Sequence, residues 1–338
     1  MTRIDASLFQ SPQESFQAIL DALNERIVGQ ERAKQFLAVR AAEHQHRVVR
    51  AEGDPRVLLL VGSPGSGKTE LCRALARILE VPFYRVDAHT LTTTSFAGVQ
   101  VGEIAARLLA EASVIVGEGA TKEEVHDLAE RGVVMVDEID KIAYITSVET
   151  EQSSYERHRE GVQAALLPLF EGKVLIGDAH SGREDFNSEG LLVLAAGSFA
   201  DRKMIRIVNE RRVERSTQEH YKHISFEDLK LFGFLPEIIG RISKILALDK
   251  LDDAQLADIF RKRHSMGSMR VMNKTISMSD EVSELLGRRA RSFNLGARAI
   301  GQIIEVIRVD VYLKEETLLI TDDEIVVTAD YVHLRWPD

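Results

Sequence analysis

Apolar residues in this chain come in two patterns. Unbroken runs of strand length occur at Val57-Leu58-Leu59-Leu60-Val61, at Val133-Val134-Met135-Val136 and at Leu191-Leu192-Val193-Leu194-Ala195-Ala196. Runs of that kind read as strands buried on both faces. Between and around them the apolar positions recur every three or four residues, the spacing of one helix face. Ser11-Pro12-Gln13-Glu14 opens such a helix with Ser as cap and Pro in the first turn, and Phe16, Ile19, Leu20 and Leu23 line its inner side. Ala33, Phe36 and Leu37 mark a second helix, after which residues 44–50 read as solvated. Leu71, Leu75, Ile78 and Leu79 mark a third, and residues 104–112 and 161–170 are also helical in pattern. Residues 82–86 are a short strand, 91–103 a Thr- and Gly-rich loop or a distorted helix start, and 144–159 a polar, mobile connection.

Strands alternating with helices predict an α/β fold with a parallel sheet covered by helices on both faces. From about Leu251 the pattern becomes helical, at 254–260, 280–291 and 297–313, with one short strand at 324–328. The expected organisation is a large domain, 1–248, followed by a small, mostly helical domain, 249–338. Residues 200–221 stand apart, with six Arg or Lys positions at 202, 203, 206, 211, 212 and 215 and no glycine.

Chemistry enters at the end of the first apolar run. Gly62-Ser63-Pro64-Gly65-Ser66-Gly67-Lys68-Thr69 sits between a strand and a helix, the context a phosphate-binding loop requires. Its glycines let successive N–H groups converge on phosphate oxygens, Lys68 reaches the β/γ-phosphates, and the Thr69 hydroxyl is a Mg²⁺ ligand. The second run ends in Asp137-Glu138. At the carboxyl end of a strand in an open α/β sheet, Asp137 can hold Mg²⁺ directly or through water. Glu138 can polarise the water that attacks the γ-phosphate; the competing reading is two exposed acids at a strand end. The expected class is therefore a P-loop ATPase with ATP and Mg²⁺ as its nucleotide and metal.

Composition narrows the partners. The net charge of −10 disfavours DNA, RNA and anionic membranes as the main partner. A single cysteine, Cys72, excludes an intramolecular disulfide and fits a reducing compartment. Without an apolar leader or a run of membrane-spanning length, a soluble, cytoplasmic protein is expected.

These pieces together resemble the AAA+ ATPases of the ClpX/HslU protein-unfoldase group, the ClpX branch most closely. The resemblance is carried by Ile27-Val28-Gly29-Gln30, the phosphate loop, Val136-Asp137-Glu138-Ile139-Asp140-Lys141 and Gly161-Val162-Gln163-Ala164-Ala165-Leu166-Leu167. It continues through Phe232-Gly233-Phe234-Leu235-Pro236-Glu237-Ile238-Ile239-Gly240-Arg241 to Gly296-Ala297-Arg298, so it spans nearly the whole chain from Val28 to about Leu313.

The resemblance implies a homo-hexameric ring that threads protein substrates through a central pore, with ATP at each subunit interface. The nucleotide would be held by Ile27 and Val28 against adenine and by Ser63, Pro64, Gly65, Ser66, Gly67, Lys68, Thr69, Glu70 and Leu71 along the phosphates. Arg241 matches the arginine finger that reaches a neighbour's site; a helix-capping surface arginine is the bland alternative. Arg298 matches the sensor-2 arginine, with a salt-bridged face residue as its alternative, and Ser198 lies near the sensor-1 position. Ser95-Phe96-Ala97-Gly98 falls where the family has an aromatic pore loop, although Phe96 could equally anchor a buried loop. Arg183 falls near the family's second basic loop.

Two departures bear on partners. The ClpX branch carries a four-cysteine zinc domain and an Ile-Gly-Phe type tripeptide that docks on a peptidase ring. One cysteine cannot build the first, and residues 200–221 have no glycine for the second. That segment reads as a charged surface, and a ClpP-type peptidase is not an expected partner. Two other readings compete with protein unfolding: an AAA+ nucleic-acid motor, supported only by the Arg-rich segment, and a non-threading ATP switch that assembles a complex.

Overall fold

The computed structural model describes residues 11–46, 54–91, 101–144, 154–175, 186–211, 219–265 and 269–337. Phe96, Arg183, Arg212 and Arg215 lie outside the described residues. The chain forms two compact units, one of residues 1–25, 31–62 and 68–248, the other of residues 26–30, 63–67 and 249–338.

The first unit is built on a five-stranded, all-parallel sheet of β1 (Val57–Val61), β2 (Phe83–Asp87), β3 (Val133–Asp137), β6 (Leu192–Gly197) and β7 (Ile242–Ala247), in the order β2-β3-β6-β1-β7. All five residues of β1 and of β3 are buried. This is why these strands read as unbroken apolar runs: a parallel strand covered on both faces has no solvent side to alternate with. A minor hairpin pairs β4 (Val174–Leu175) with β5 (Phe186–Asn187).

The helices of this unit are α1 (Pro12–Arg26), α2 (Glu31–Gln45), α3 (Lys68–Leu79), α4 (Val101–Val116), α5 (Lys122–Ala129), α6 (Ser154–Glu171), α7 (Arg202–Arg211), α8 (Phe226–Phe232) and α9 (Pro236–Arg241). Helix α1 starts as its sequence dictates, with the Glu14 N–H donating to Ser11 Oγ at 3.4 Å. Helix α5 is opened by a reciprocal capping box between Thr121 and Glu124.

Three expectations are corrected. Residues 44–50 are not uniformly solvated: His44 Nε2 bonds the Arg131 carbonyl and His46 Nε2 bonds Ser15 Oγ, at 2.9 and 2.8 Å, while 47–50 lie outside the described residues. The connection 144–159 is shorter than its polarity suggests, because Tyr144 is buried and α6 already begins at Ser154. The Arg-rich segment is no simple charged surface: in α7, Met204, Ile207 and Val208 enter the core and Arg211 pairs with buried Asp228. Polar residues at helical spacing had masked an amphipathic helix.

The second unit has its own core, centred on Phe260, Leu286, Ile300, Ile303, Ile307 and Tyr331. Its helices are α10 (Asp253–Ser265), α11 (Asp280–Ser292), α12 (Arg298–Leu313) and α13 (Ala329–Arg335). It is less purely helical than its sequence suggests, since β8 (Arg270–Val271), β9 (Lys274–Met278), β10 (Leu319–Ile320) and β11 (Glu324–Val327) form a sheet in the order β10-β11-β9-β8. Asp310 of α12, itself buried, accepts from the Tyr331 hydroxyl at 2.7 Å and pairs with Arg335 at 3.0 Å, fixing α13. No described helix is long and apolar enough to cross a membrane.

Candidate active site

The Gly-rich turn leaves the carboxyl end of β1 and enters α3 at Lys68. Gly65 and Gly67 have φ of +76° and +97°, the left-handed region in which a side chain is strained. A β-carbon at Gly65 would run into the Leu295 carbonyl oxygen, whereas one at Gly67 would meet nothing within 4 Å. The turn is thus pressed on backbone at one glycine and open at the next. Within the second unit it is tied twice. Gln30 Nε2 donates to the Ser66 carbonyl at 3.0 Å and to the Asp249 carbonyl at 2.8 Å, and the Ala297 N–H donates to the Gly65 carbonyl at 3.0 Å. The next residue, Arg298, is exposed and begins α12. Ile27 is buried and Val28 half-buried in the same unit.

A phosphate fits this turn on two observations. Ser66 Oγ is buried and makes no hydrogen bond, and the space at Gly67 is open. Past the turn, Lys68 Nζ donates to the Gly62 carbonyl at 2.6 Å, and Thr69 and Glu70 occupy the first helical turn, where N–H groups lack intrahelical partners. Leu71 is fully buried, so its backbone is all it can offer a ligand.

In the first unit the acids stand at the carboxyl end of β3, and Ser198 at that of β6. Asp137 is 8% exposed; its Oδ1 accepts from the Glu138 N–H at 2.9 Å and its Oδ2 lies 3.0 Å from Arg85 Nε. Burial pushes the Cys72 thiol well up, and the nearby Asp137 charge adds to that, so this cysteine is inert. Glu138 takes a left-handed conformation, φ +54°, which turns the chain out of the strand and into a 3₁₀ turn, Ile139–Ile142. Its carboxylate meets His89 Nδ1 at 2.9 Å.

Ser198 Oγ donates to Asp140 Oδ2 at 3.1 Å, and the Phe199 N–H donates to the same oxygen at 3.1 Å. Asp140 therefore holds the end of β6 to the turn after Glu138. Asp137, Glu138 and Ser198 are brought to one end of the sheet.

Arg241 is not. It is the last residue of α9, directly before β7; its carbonyl accepts from the Arg56 N–H, and Ile242 pairs with Val57 at the start of β1. One strand length, about 15 Å for five residues, separates it from the carboxyl ends of the strands. Its Nη2 donates to Glu171 Oε1 at 2.7 Å. The bond from Lys173 and then that from Arg241 hold the Glu171 carboxyl below the usual carboxylate range.

Sequence reasoning missed Arg85, His89, Asp140 and Glu171. Asp140 had a signal, as the third acid of Asp137-Glu138-Ile139-Asp140; the others hold their partners through the fold alone.

A parallel sheet with a phosphate-loop turn leaving an inner strand, and with paired acids at the end of a nearby strand, defines an α/β P-loop ATPase of the AAA+ type. The family model described as "AAA domain (Cdc48 subfamily)" matches residues 55–245. The ATP-binding subunit ClpX of the ATP-dependent Clp protease from Bacteroides fragilis is 31% identical over 98% of this chain and 82% of its own length. Its counterparts from Porphyromonas gingivalis and Treponema denticola are 31% and 30% identical, over 89% and 87% of this chain and 79% and 75% of theirs. The chain belongs to the AAA+ ATPases, as a member of the ClpX-like, Clp-unfoldase type.

Proposed function

We infer that this ATPase is a protein unfoldase or remodeller that works as a homo-hexameric ring and threads polypeptide through its pore. The reading rests chiefly on the position of Arg241. An arginine whose backbone stands at the opposite end of the sheet and three strands over from its own chain's Asp137 and Glu138 is better placed to serve another copy's site, which a ring of identical subunits supplies.

In this reading Gly65, Ser66 and Gly67 cradle the phosphates, Lys68 balances their charge and Ile27 and Val28 wall the adenine. Thr69 and Asp137 hold Mg²⁺, which when bound would neutralise charge on the β- and γ-phosphates. Glu138 takes a proton from the attacking water. Ser198, fixed by Asp140, orients that water, and the neighbour's Arg241 stabilises charge developing on the γ-phosphate. Arg298 reads the phosphates from the small domain, 249–338, and Phe96 grips the client.

The nucleic-acid motor is the weaker reading. The Arg-rich helix α7 spends one face on the core and Arg211 on Asp228. ATP turnover in the presence of an unfolded polypeptide, and separately of single- and double-stranded DNA, tests the choice. Stimulation by polypeptide alone is expected; stimulation by DNA alone would overturn the reading.

A further inference from the structure

We propose that Gln163 is a positioning residue for Arg241, tying the helix that presents the guanidinium to the turn behind Glu138. The proposal rests on the reading of Arg241 as a residue acting on a neighbouring subunit.

Gln163 lies in α6 with none of its surface exposed, and its amide is satisfied on every side. Nε2 donates to the Ile142 carbonyl at 2.9 Å and to the Gly233 carbonyl at 3.0 Å, while Oε1 accepts the Leu235 N–H at 2.8 Å. Two carbonyls on one side and an N–H on the other fix which end is which. Ile142 closes the 3₁₀ turn that starts after Glu138, and Leu235 is the cap of α9. One buried side chain therefore bonds the turn behind the general base and, at Gly233 and Leu235, the single stretch of backbone leading into the finger helix.

The neighbouring backbone leaves no slack. The Tyr144 N–H also donates to the Gly233 carbonyl, at 3.1 Å, and a β-carbon on Gly233 would run into the Tyr144 backbone. Gly233 has φ +118°. Helix α6 then reaches the far end of α9 through Glu171, which holds Arg241. Gln163 and Glu171 are eight residues apart, about 12 Å along a helix, and α9 from Leu235 to Arg241 covers about 9 Å. The same helix thus fixes the backbone of α9 at its cap, and at the last residue it meets the Arg241 guanidinium itself. A polar side chain buried without exposure is costly unless each bond is made, so this amide specifies one arrangement of α9 against the Glu138 turn. Gln163 touches no reacting atom; its effect passes through Arg241.

Mixed rings test this. One subunit carries Arg241→Ala and keeps Glu138; the other carries Glu138→Gln and keeps Arg241, so hydrolysis requires the second to serve the first. Gln163→Leu, and separately Gln163→Glu, is then added only to the second subunit, which hydrolyses nothing itself. Leucine removes all three bonds; glutamate keeps the acceptor but sets a carboxylate against two carbonyls. Thermal midpoint, ring mass and affinity for a fluorescent ATP analogue are measured on the same samples. A displacement of about 1 Å at a catalytic group costs on the order of 10²-fold. A fall in mixed-ring turnover of that order, with ring mass and affinity held and the midpoint still well above the assay temperature, is the expected result. Unchanged turnover with either variant would overturn the proposal, and so would a loss seen only where both variants unfold or fail to assemble. If the mixed ring without a Gln163 change shows no turnover above its separate components, the trans role of Arg241 fails instead.

Discussion

His89 Nδ1 stands 2.9 Å from Glu138 Oε2, while the adjacent Asp137 is held by Arg85. The two neighbouring acids thus face different partners, and Glu138 leaves the strand in a left-handed turn. The division fits two roles, a buried acid for the metal and a half-exposed one for water.

The first prediction follows from that division. Glu138→Gln keeps nucleotide affinity, since Asp137 and the phosphate turn are untouched, but lowers turnover by about 10²–10⁴-fold, the usual worth of a general base. Parallel titration and steady-state hydrolysis check it. Turnover near that of the unmodified protein would remove Glu138 from its role.

Lys68→Ala acts on the other term. Losing the one ammonium in the phosphate turn costs a charge-assisted contact, so affinity for ATP falls about tenfold or more. Equilibrium binding to a fluorescent analogue is the measurement, and an unchanged Kd would contradict the assignment.

Arg241→Ala spares binding and lowers turnover, with arginine fingers elsewhere worth about 10³–10⁵ in rate. Glu171→Ala removes the ion pair that the same guanidinium makes with that carboxylate. Turnover in that variant stays within about tenfold of the unmodified protein, because the residue that acts is intact and a resting contact is what is lost. A loss as large as that of Arg241→Ala would show Glu171 to be part of the chemistry.

Stability has its own test at Asp228. Burial would raise this carboxyl, but bonds from Arg211 and from the Ser225 hydroxyl and N–H outweigh it and hold it below the usual range. A lowered folded-state value contributes stability that is present above the unfolded carboxylate range and lost as the pH falls through the folded value. Asp228→Asn should therefore lower stability at neutral pH by about 1–3 kcal/mol, and the difference from the unmodified protein should shrink below about pH 4. Thermal melts across pH 3 to 8 read the trend; a difference independent of pH would contradict it.

The five-stranded sheet was largely legible because buried parallel strands leave continuous apolar runs, and the phosphate turn because its glycines and lysine are adjacent in sequence. Strand β7 was not, since Ile242-Ser243-Lys244-Ile245-Leu246-Ala247 mixes polar and apolar residues on a strand that is only partly buried. Strands β8 and β10, two residues each, carry no periodicity at all. At the site, Asp137 and Glu138 could be read from their place after an apolar run. Their partners Arg85 and His89 could not, because β2 and β3 are joined by register and not by proximity in sequence. Gln163 likewise looked like one polar residue in a helix until α6 was seen against α9.

Partner choice can be tested without changing a residue. Helix α7 turns Met204, Ile207 and Val208 inward, which leaves it only the half-buried Ile205, with no glycine beside it, as an apolar residue to offer a peptidase pocket. Adding a ClpP-type peptidase to the ATP-bound protein with a tagged substrate should give no ATP-dependent degradation. Robust proteolysis would place the docking contact elsewhere in the chain.

The most direct measurement follows a stably folded fluorescent protein carrying an unstructured tail, mixed with the unmodified protein, ATP and a trap that captures unfolded chains. Loss of fluorescence that requires ATP hydrolysis, and is absent with the Glu138→Gln protein, is the result expected of an unfoldase. Sustained ATP turnover, stimulated by the tail alone, with the folded domain left fluorescent would contradict threading and leave an ATP-driven switch.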